Sequence, residues 1–248
     1  MKNESTSRAL LTVAAVALVC SAMVATSVYL LQPMQKAYAQ IDRNRSILRA
    51  AGIDTADMDD DQVVTTFLAL DARIIDLSDA VFTSAPAMTT AWGYDHWSSA
   101  DRTAGIAARY VPAYLVWRDG GLARLVVPVD GAGMWSTIYG YLALEPDLNT
   151  VAELIIYRHG ETPGVGDRIE DPRWLAEWAG KRLVDDAGDV RVTVVKNPQA
   201  GNFQVHLISG ASVTSEAVGG LIRRWAGPEG YGPLLQRLRR DPAALSPP

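Results

Sequence analysis

The sequence predicts an α+β protein: a single N-terminal transmembrane helix followed by one domain of sheet and helix segments that do not alternate regularly. Three observations lead there. Residues 9–31 carry no charge, are rich in Ala, Val and Leu, and are numerous enough for a helix to cross a bilayer. Farther on, short apolar runs of strand character are joined by glycine-containing turn signals. Helix-patterned stretches bounded by Gly and Pro lie among them.

Residues 1–8 form an N-terminal tail and 9–31 the membrane helix. A cleaved signal peptide is the rival reading, because Cys20-Ser21-Ala22 supplies small residues after an apolar stretch. The apolar run continues well past Ala22, which favours an uncleaved anchor. Lys2 and Arg8 precede the helix and Lys36, Arg43 and Arg45 follow it, so charge asymmetry does not orient it. Residues 32–51 keep a helical composition, as a stalk that Gly52 ends. One domain over 52–240 follows, and 241–248 is a flexible tail.

At the start of that domain the acidic cluster from Asp57 to Asp61 lacks the glycine and the late glutamate of a calcium loop. It reads as an acidic helix start leading into an apolar-periodic stretch. Ile74-Ile75 and residues 113–117 and 123–129 have strand character, and Asp119-Gly120-Gly121 joins the last two as a hairpin. Residues 151–157 read as a strand, and 172–179 as a helix with Trp174 and Trp178 one turn apart. Residues 190–195 and 203–208 form a second predicted hairpin around Pro198 and Gly201, and a helix over 215–225 stops at Gly227-Pro228.

Composition narrows the function. With 28 acidic against 23 basic residues the net charge is −5, which argues against a nucleic-acid partner. Arg237, Arg239 and Arg240 read as a solvated helix face. The lone Cys20 excludes an internal disulfide and an iron–sulfur cluster held by this chain alone. No Gly-x-Gly-x-x-Gly follows a strand, so nothing marks an NADH site.

Three segments carry chemistry. Ser209-Gly210-Ala211-Ser212-Val213-Thr214-Ser215 lies where a strand gives way to a helix, so its hydroxyls sit among free backbone N–H groups at the positive end of that helix. This suits a phosphate, although Ser, Thr and Gly also serve there as ordinary caps. Residues 131–140 place Trp135 and Tyr139 among glycines, Ser136 and Thr137, a composition suited to stacking on a flat ring system. Gly160-Glu161-Thr162-Pro163-Gly164-Val165-Gly166 reads as a rigid turn of exposed backbone amides with one carboxylate beside it. Either segment alone is also compatible with an ordinary loop.

Taken in order, residues 135–144, residues 161–166, the serine-rich run and Gly230-Tyr231-Gly232-Pro233 resemble the singly anchored, covalent-FMN-binding subunit of the bacterial sodium-translocating NADH:quinone reductase. The resemblance covers almost the whole chain, including the single N-terminal anchor. It implies an electron relay that carries FMN covalently, through a phosphoester bond installed by a dedicated flavin transferase from FAD. The attachment position falls on Ser212, where the family usually has threonine, with Thr214 as fallback. His206 stands where the family pattern has an aspartate. Trp135, Ser136, Thr137, Glu161, Thr162, Gly164, Ser209, Gly210, Ala211, Val213 and Thr214 are the implied flavin contacts.

The resemblance further implies partner membrane subunits that deliver an electron from an iron centre and take it on to a second flavin toward quinone, with sodium export performed by the whole complex. It implies a bacterial inner-membrane location with the flavin domain in the periplasm. Two other readings remain at this point: the related flavin subunit of a ferredoxin-linked electron-transport complex, and a flavin-free anchored scaffold.

Overall fold

The structure, a computed structural model, describes residues 6–83 and 109–247; Lys2 and Pro248 of the two predicted tails lie outside the described residues. The chain divides into two units, Met1–Arg43 and Asn44–Pro248. The first holds most of helix α1 (Thr6–Ala50), which among the described residues is the one helix long and apolar enough to cross a membrane. Its large side chains, from Leu10 to Leu31, are exposed, as a lipid-facing surface requires.

In the second unit, Ile47, Leu48 and Ala50 at the end of α1 are fully buried. Helix α2 (Asp60–Leu68) starts where the acidic cluster predicts. The Asp59 carboxylate accepts the Gln62 N–H at 2.8 Å, and Gln62 Oε1 accepts the Asp59 N–H at 2.9 Å, a reciprocal cap.

Six strands make the sheet: β1 (Asp71–Asp76), β2 (Val81–Thr83), β3 (Tyr110–Arg118), β4 (Gly121–Ala132), β5 (Thr137–Leu144) and β6 (Val151–Arg158). They run antiparallel in the order β2-β1-β3-β4-β5-β6. The β3–β4 hairpin closes as predicted through Asp119 and Gly120, both at positive φ. Both faces of the central strands are covered. On one face Val111, Ala113, Leu115, Leu125, Val127 and Val129 join a single core cluster with Val218, Leu221, Ile222 and Trp225 of helix α4 (Ser212–Ala226). On the other, the Tyr114 ring meets Phe67 of α2 at 5.5 Å.

Between sheet and α4 lie a 3-10 turn (Gly166–Glu170), the short helix α3 (Pro172–Ala176) and the strands β7 (Thr193–Val195) and β8 (Gln204–His206); α5 (Gly232–Arg240) follows α4. Trp174 and Trp178 stack edge to face at 5.8 Å in the core. Trp225 Nε1 donates to the Asp130 carbonyl at 2.8 Å and the Tyr231 hydroxyl to the Pro128 carbonyl at 2.6 Å, which pins α4 and the start of α5 to β4.

Three expectations need correction. Residues 137–144 are a full strand rather than part of a binding loop. Alternation of Ile138, Gly140, Leu142 and Leu144 with Tyr139, Tyr141 and Ala143 carries that strand, and the glycines and aromatics masked it. Only Thr193–Val195 of the run 190–195 is strand. Most instructive, β7 and β8 pair in parallel, Thr193 with Gln204 and Val195 with His206, so they are not a hairpin. The connection doubles back before β8 begins, held by Gln199 N–H on Gln204 Oε1 at 2.7 Å, and the second strand re-enters in the same direction as the first.

Candidate functional site

The three segments singled out in the sequence meet at one end of the sheet. The loop 133–136 joins β4 to β5, residues 159–166 leave β6, and the serine-rich run enters α4. What brings them together is Glu161, only 5% exposed. Its Oε1 accepts the N–H groups of Trp135 and Ser136 at 3.0 and 3.1 Å, and its Oε2 accepts the Met134 N–H at 3.3 Å and the Thr214 hydroxyl at 2.9 Å. Burial pushes the carboxyl up, but the N–H of Trp135, the Thr214 hydroxyl and the N–H groups of Ser136 and Met134 prevail, so it lies below its ordinary value. Gly133 and Gly166 line this carboxylate. A Cβ on Gly133 would come within 2.5 Å of Glu161 Oε1, and one on Gly166 within 2.9 Å of Glu161 Cβ.

The turn 160–166 is closed on itself, which corrects its reading as a row of exposed amides. Val165, Gly166 and Asp167 all donate to the Thr162 carbonyl, and Gly164 donates to the Asp167 carboxylate at 2.8 Å. Gly160 donates to the Ser136 hydroxyl at 2.6 Å and Glu161 to His159 Nδ1 at 3.1 Å. His159 Nε2 lies 2.9 Å from Glu170, so the ring is held with its proton on Nε2. Of this turn's amides, only Thr162 N–H makes no hydrogen bond among the described residues; the residue itself is exposed, like Pro163, Gly164 and Val165.

The serine-rich run is open. After β8 the chain passes Ser209 and turns at Gly210, whose φ of 86° is left-handed. Helix α4 then starts with Ala211 at the N-cap and no side chain capping it. The N–H groups of Ser212, Val213 and Thr214 make no hydrogen bond among the described residues. Four hydroxyls lie here, and the fold sorts them. Thr214, 2% exposed, is held by Glu161. Ser215, fully buried, donates to the Ala211 carbonyl at 2.9 Å and accepts the Ile208 N–H at 3.2 Å, which fixes the turn. Ser209 and Ser212 are exposed, and neither hydroxyl makes a hydrogen bond among the described residues.

The aromatic pair separates too. Tyr139 lies in β5 with the Arg158 guanidinium over its ring at 4.2 Å, whereas Trp135 is 69% exposed. Met134, Val165 and Val213 are exposed apolar side chains on the same three segments. Thr137 begins β5 and is partly covered.

Sequence reasoning missed His159, the buttress of Glu161, and Arg168, whose Nη1 donates to the Ser209 carbonyl at 2.7 Å and ties the 3-10 turn to the serine-rich run. It also missed Glu177. This carboxylate, just beyond α3, accepts the His206 N–H at 3.0 Å and lies 2.8 Å from His206 Nδ1. The Arg168 and Glu177 contacts join distant parts of the chain and carry no short-range signal, whereas His159 contacts Glu161 only two residues on.

Residues 133–227 match the FMN-binding domain family. This chain is 39% identical to the NqrC protein of the Na(+)-translocating NADH-quinone reductase of Pseudomonas aeruginosa, covering 97% of this chain and 99% of that one. It is 35% identical to the corresponding protein from Yersinia pestis, covering 96% and 94%. Among solved structures, the crystal structure of Shewanella oneidensis NqrC superimposes with a TM-score of 0.71 at 29% identity, covering 83% of this chain and 100% of that chain.

Proposed function

Because the chain belongs to the NqrC family of the Na(+)-translocating NADH-quinone reductase and has an FMN-binding domain, we propose that it is an electron relay carrying FMN covalently on Ser212. The observation that supports this reading is the exposed Ser212 hydroxyl on the first turn of an uncapped helix, where that hydroxyl and three backbone N–H groups have no hydrogen-bond partner among the described residues. A phosphate esterified there accepts those hydrogen bonds and sits at the positive end of α4. Thr214 has the wrong accessibility for an acceptor, because its hydroxyl is buried against Glu161.

Attachment needs a donor flavin dinucleotide and a transferase. Ser212 Oγ attacks the phosphorus on the FMN side, the pyrophosphate bond breaks, AMP leaves, and the hydroxyl proton goes to a base on the transferase. Once bound, FMN supplies one- and two-electron redox chemistry. The chain's own residues fix its place: the tether holds it at high effective concentration, the exposed Trp135 indole offers a stacking face, and the Thr162 N–H and hydroxyl remain as donors for its edge. Ser136 and Gly164 shape the surface beside it. By this proposal α1 anchors the protein in the bacterial inner membrane with the domain in the periplasm, among the other membrane subunits of the complex, which carry the NADH chemistry and the sodium path.

The test compares full-length Ser212→Ala and Thr214→Ala, each co-produced with a flavin transferase, by in-gel flavin fluorescence and intact mass. Loss of covalent flavin in Ser212→Ala with retention in Thr214→Ala is the expected result. The opposite pattern moves the attachment to Thr214 and overturns the assignment.

A further inference from the structure

Glu161 joins two elements that are far apart in the sequence. The hydrogen bonds to its carboxylate come from two separate elements: Met134, Trp135 and Ser136 in the β4–β5 loop, and Thr214 on the first turn of α4. The carboxylate is therefore a cross-brace between the loop that presents Trp135 and the helix that presents Ser212. We propose that Glu161 is a positioning residue that fixes the Trp135 loop relative to the Ser212 turn, setting the environment of the bound flavin without touching it. The assignment of a flavin to Ser212 is the reading on which this rests.

Three further observations support it. The carboxylate is nearly inaccessible, so a flavin on the surface reaches the Trp135 and Thr162 sides of the loops rather than Glu161 itself. Gly133 and Gly166 leave room for the carboxylate and for no side chain of their own. Behind it, His159 accepts the Glu161 N–H and is itself held by Glu170, so the backbone of residue 161 is fixed as well.

Every one of these contacts requires an acceptor. A neutral carboxyl keeps one acceptor oxygen and turns the other into an O–H donor, which faces Met134 N–H and Thr214 or Trp135 and Ser136 N–H. Protonation of either oxygen thus loosens the loop at 134–136, since a backbone N–H there loses its acceptor while the Thr214 hydroxyl can turn to accept. The other ionisable groups nearby are His159 and Glu170 behind the brace, Asp167 on the Gly164 N–H, and Arg168 on the Ser209 carbonyl. The acid step belongs to Glu161 only if it disappears when that side chain alone loses its charge.

The full-length chain, co-produced with a flavin transferase, is compared with Glu161→Gln, Thr214→Val and Thr214→Ser. Hydrogen exchange at the amides of residues 134–136 is read against the intrinsic rate at each pH, and flavin emission and midpoint potential are normalised to covalent FMN measured by mass. Expected are exchange at 134–136 at least about tenfold faster in Glu161→Gln, the loss of one hydrogen bond's worth of protection, and an acid step in the wild-type protein that Glu161→Gln lacks. Thr214→Val shifts potential and emission, and Thr214→Ser restores them. The proposal is overturned if exchange at 134–136 in Glu161→Gln stays within about twofold of wild type. Should that variant not fold, a wild-type protein with no acid step, or a Thr214→Val protein with unchanged potential and emission, overturns it instead. Wild-type protein without covalent FMN refutes the Ser212 assignment, while the exchange measurement still decides the brace.

Discussion

Two turns of this domain look alike in sequence, each a short stretch of Gly with Ser or Thr that promises backbone donors, yet residues 160–166 are closed and residues 208–215 are open. In the first, Thr162 carbonyl and Asp167 carboxylate take up the amides that the composition advertises. In the second, an alanine stands where a capping side chain would, and three amides and the exposed hydroxyls of Ser209 and Ser212 are left over among the described residues. Donor-rich composition is common to both. Whether the donors remain available depends on local acceptors, and so the free donors lie at the helix start and the rigidity in the closed turn.

The sharpest way to break this contrast is to empty the closed turn. Glu161→Ala removes the acceptor of three part-buried backbone N–H groups, the Ser136 hydroxyl and the buried Thr214 hydroxyl, and should cost about 2–4 kcal/mol, since donors left unsatisfied away from water are expensive. Denaturant unfolding checks this. The acid limb of the same measurement has a definite sign. Because the folded carboxyl lies below its ordinary value, its contribution is fully present at neutral pH and is lost as pH falls through the folded value. Glu161→Gln should flatten the acid side of the stability profile.

A smaller effect tests the open turn. Ala211→Ser places an acceptor at the N-cap of α4 and should stabilise the flavin-free domain by roughly 0.5–1 kcal/mol, while reducing covalent FMN because the hydroxyl competes for the same amides. Thermal melts with and without the transferase, alongside intact mass, separate the two effects. An unchanged flavin yield with a higher melting temperature would mean that the amides do not serve the phosphate.

The smallest expected effect on stability is that of Trp135→Ala. The indole is 69% exposed, so unfolding should shift within about 0.5 kcal/mol, yet flavin emission and electron transfer to quinone in the assembled complex should both change. Unchanged emission would place the flavin away from the indole.

Much of the fold was legible because it rests on local rules. The charge-free run of α1, the Asp59 cap of α2, the Asp119-Gly120 turn and the Trp174–Trp178 pair all depend on neighbours within a few residues. Strand β5 escaped because Tyr139 and Gly140 look like loop chemistry when their sheet partners are unknown. The parallel pairing of β7 with β8 escaped because a short connection with Pro and Gly ordinarily reverses the chain. At the site, residue types were readable and their roles were not. Glu161 stands out as a carboxylate beside a turn, but that it braces Trp135 and Thr214 is a tertiary fact, as is the pairing of Glu177 with His206.

The central claim, that the open turn at the start of α4 holds the flavin through Ser212, is tested most directly by mapping the attachment site on the native, membrane-extracted protein. Proteolysis followed by tandem mass spectrometry should find FMN as a phosphoester on a peptide containing residues 208–215, with fragment ions placing it on Ser212. Flavin on Thr214 or Ser209, or a peptide of unmodified mass from protein made alongside an active transferase, would contradict the account.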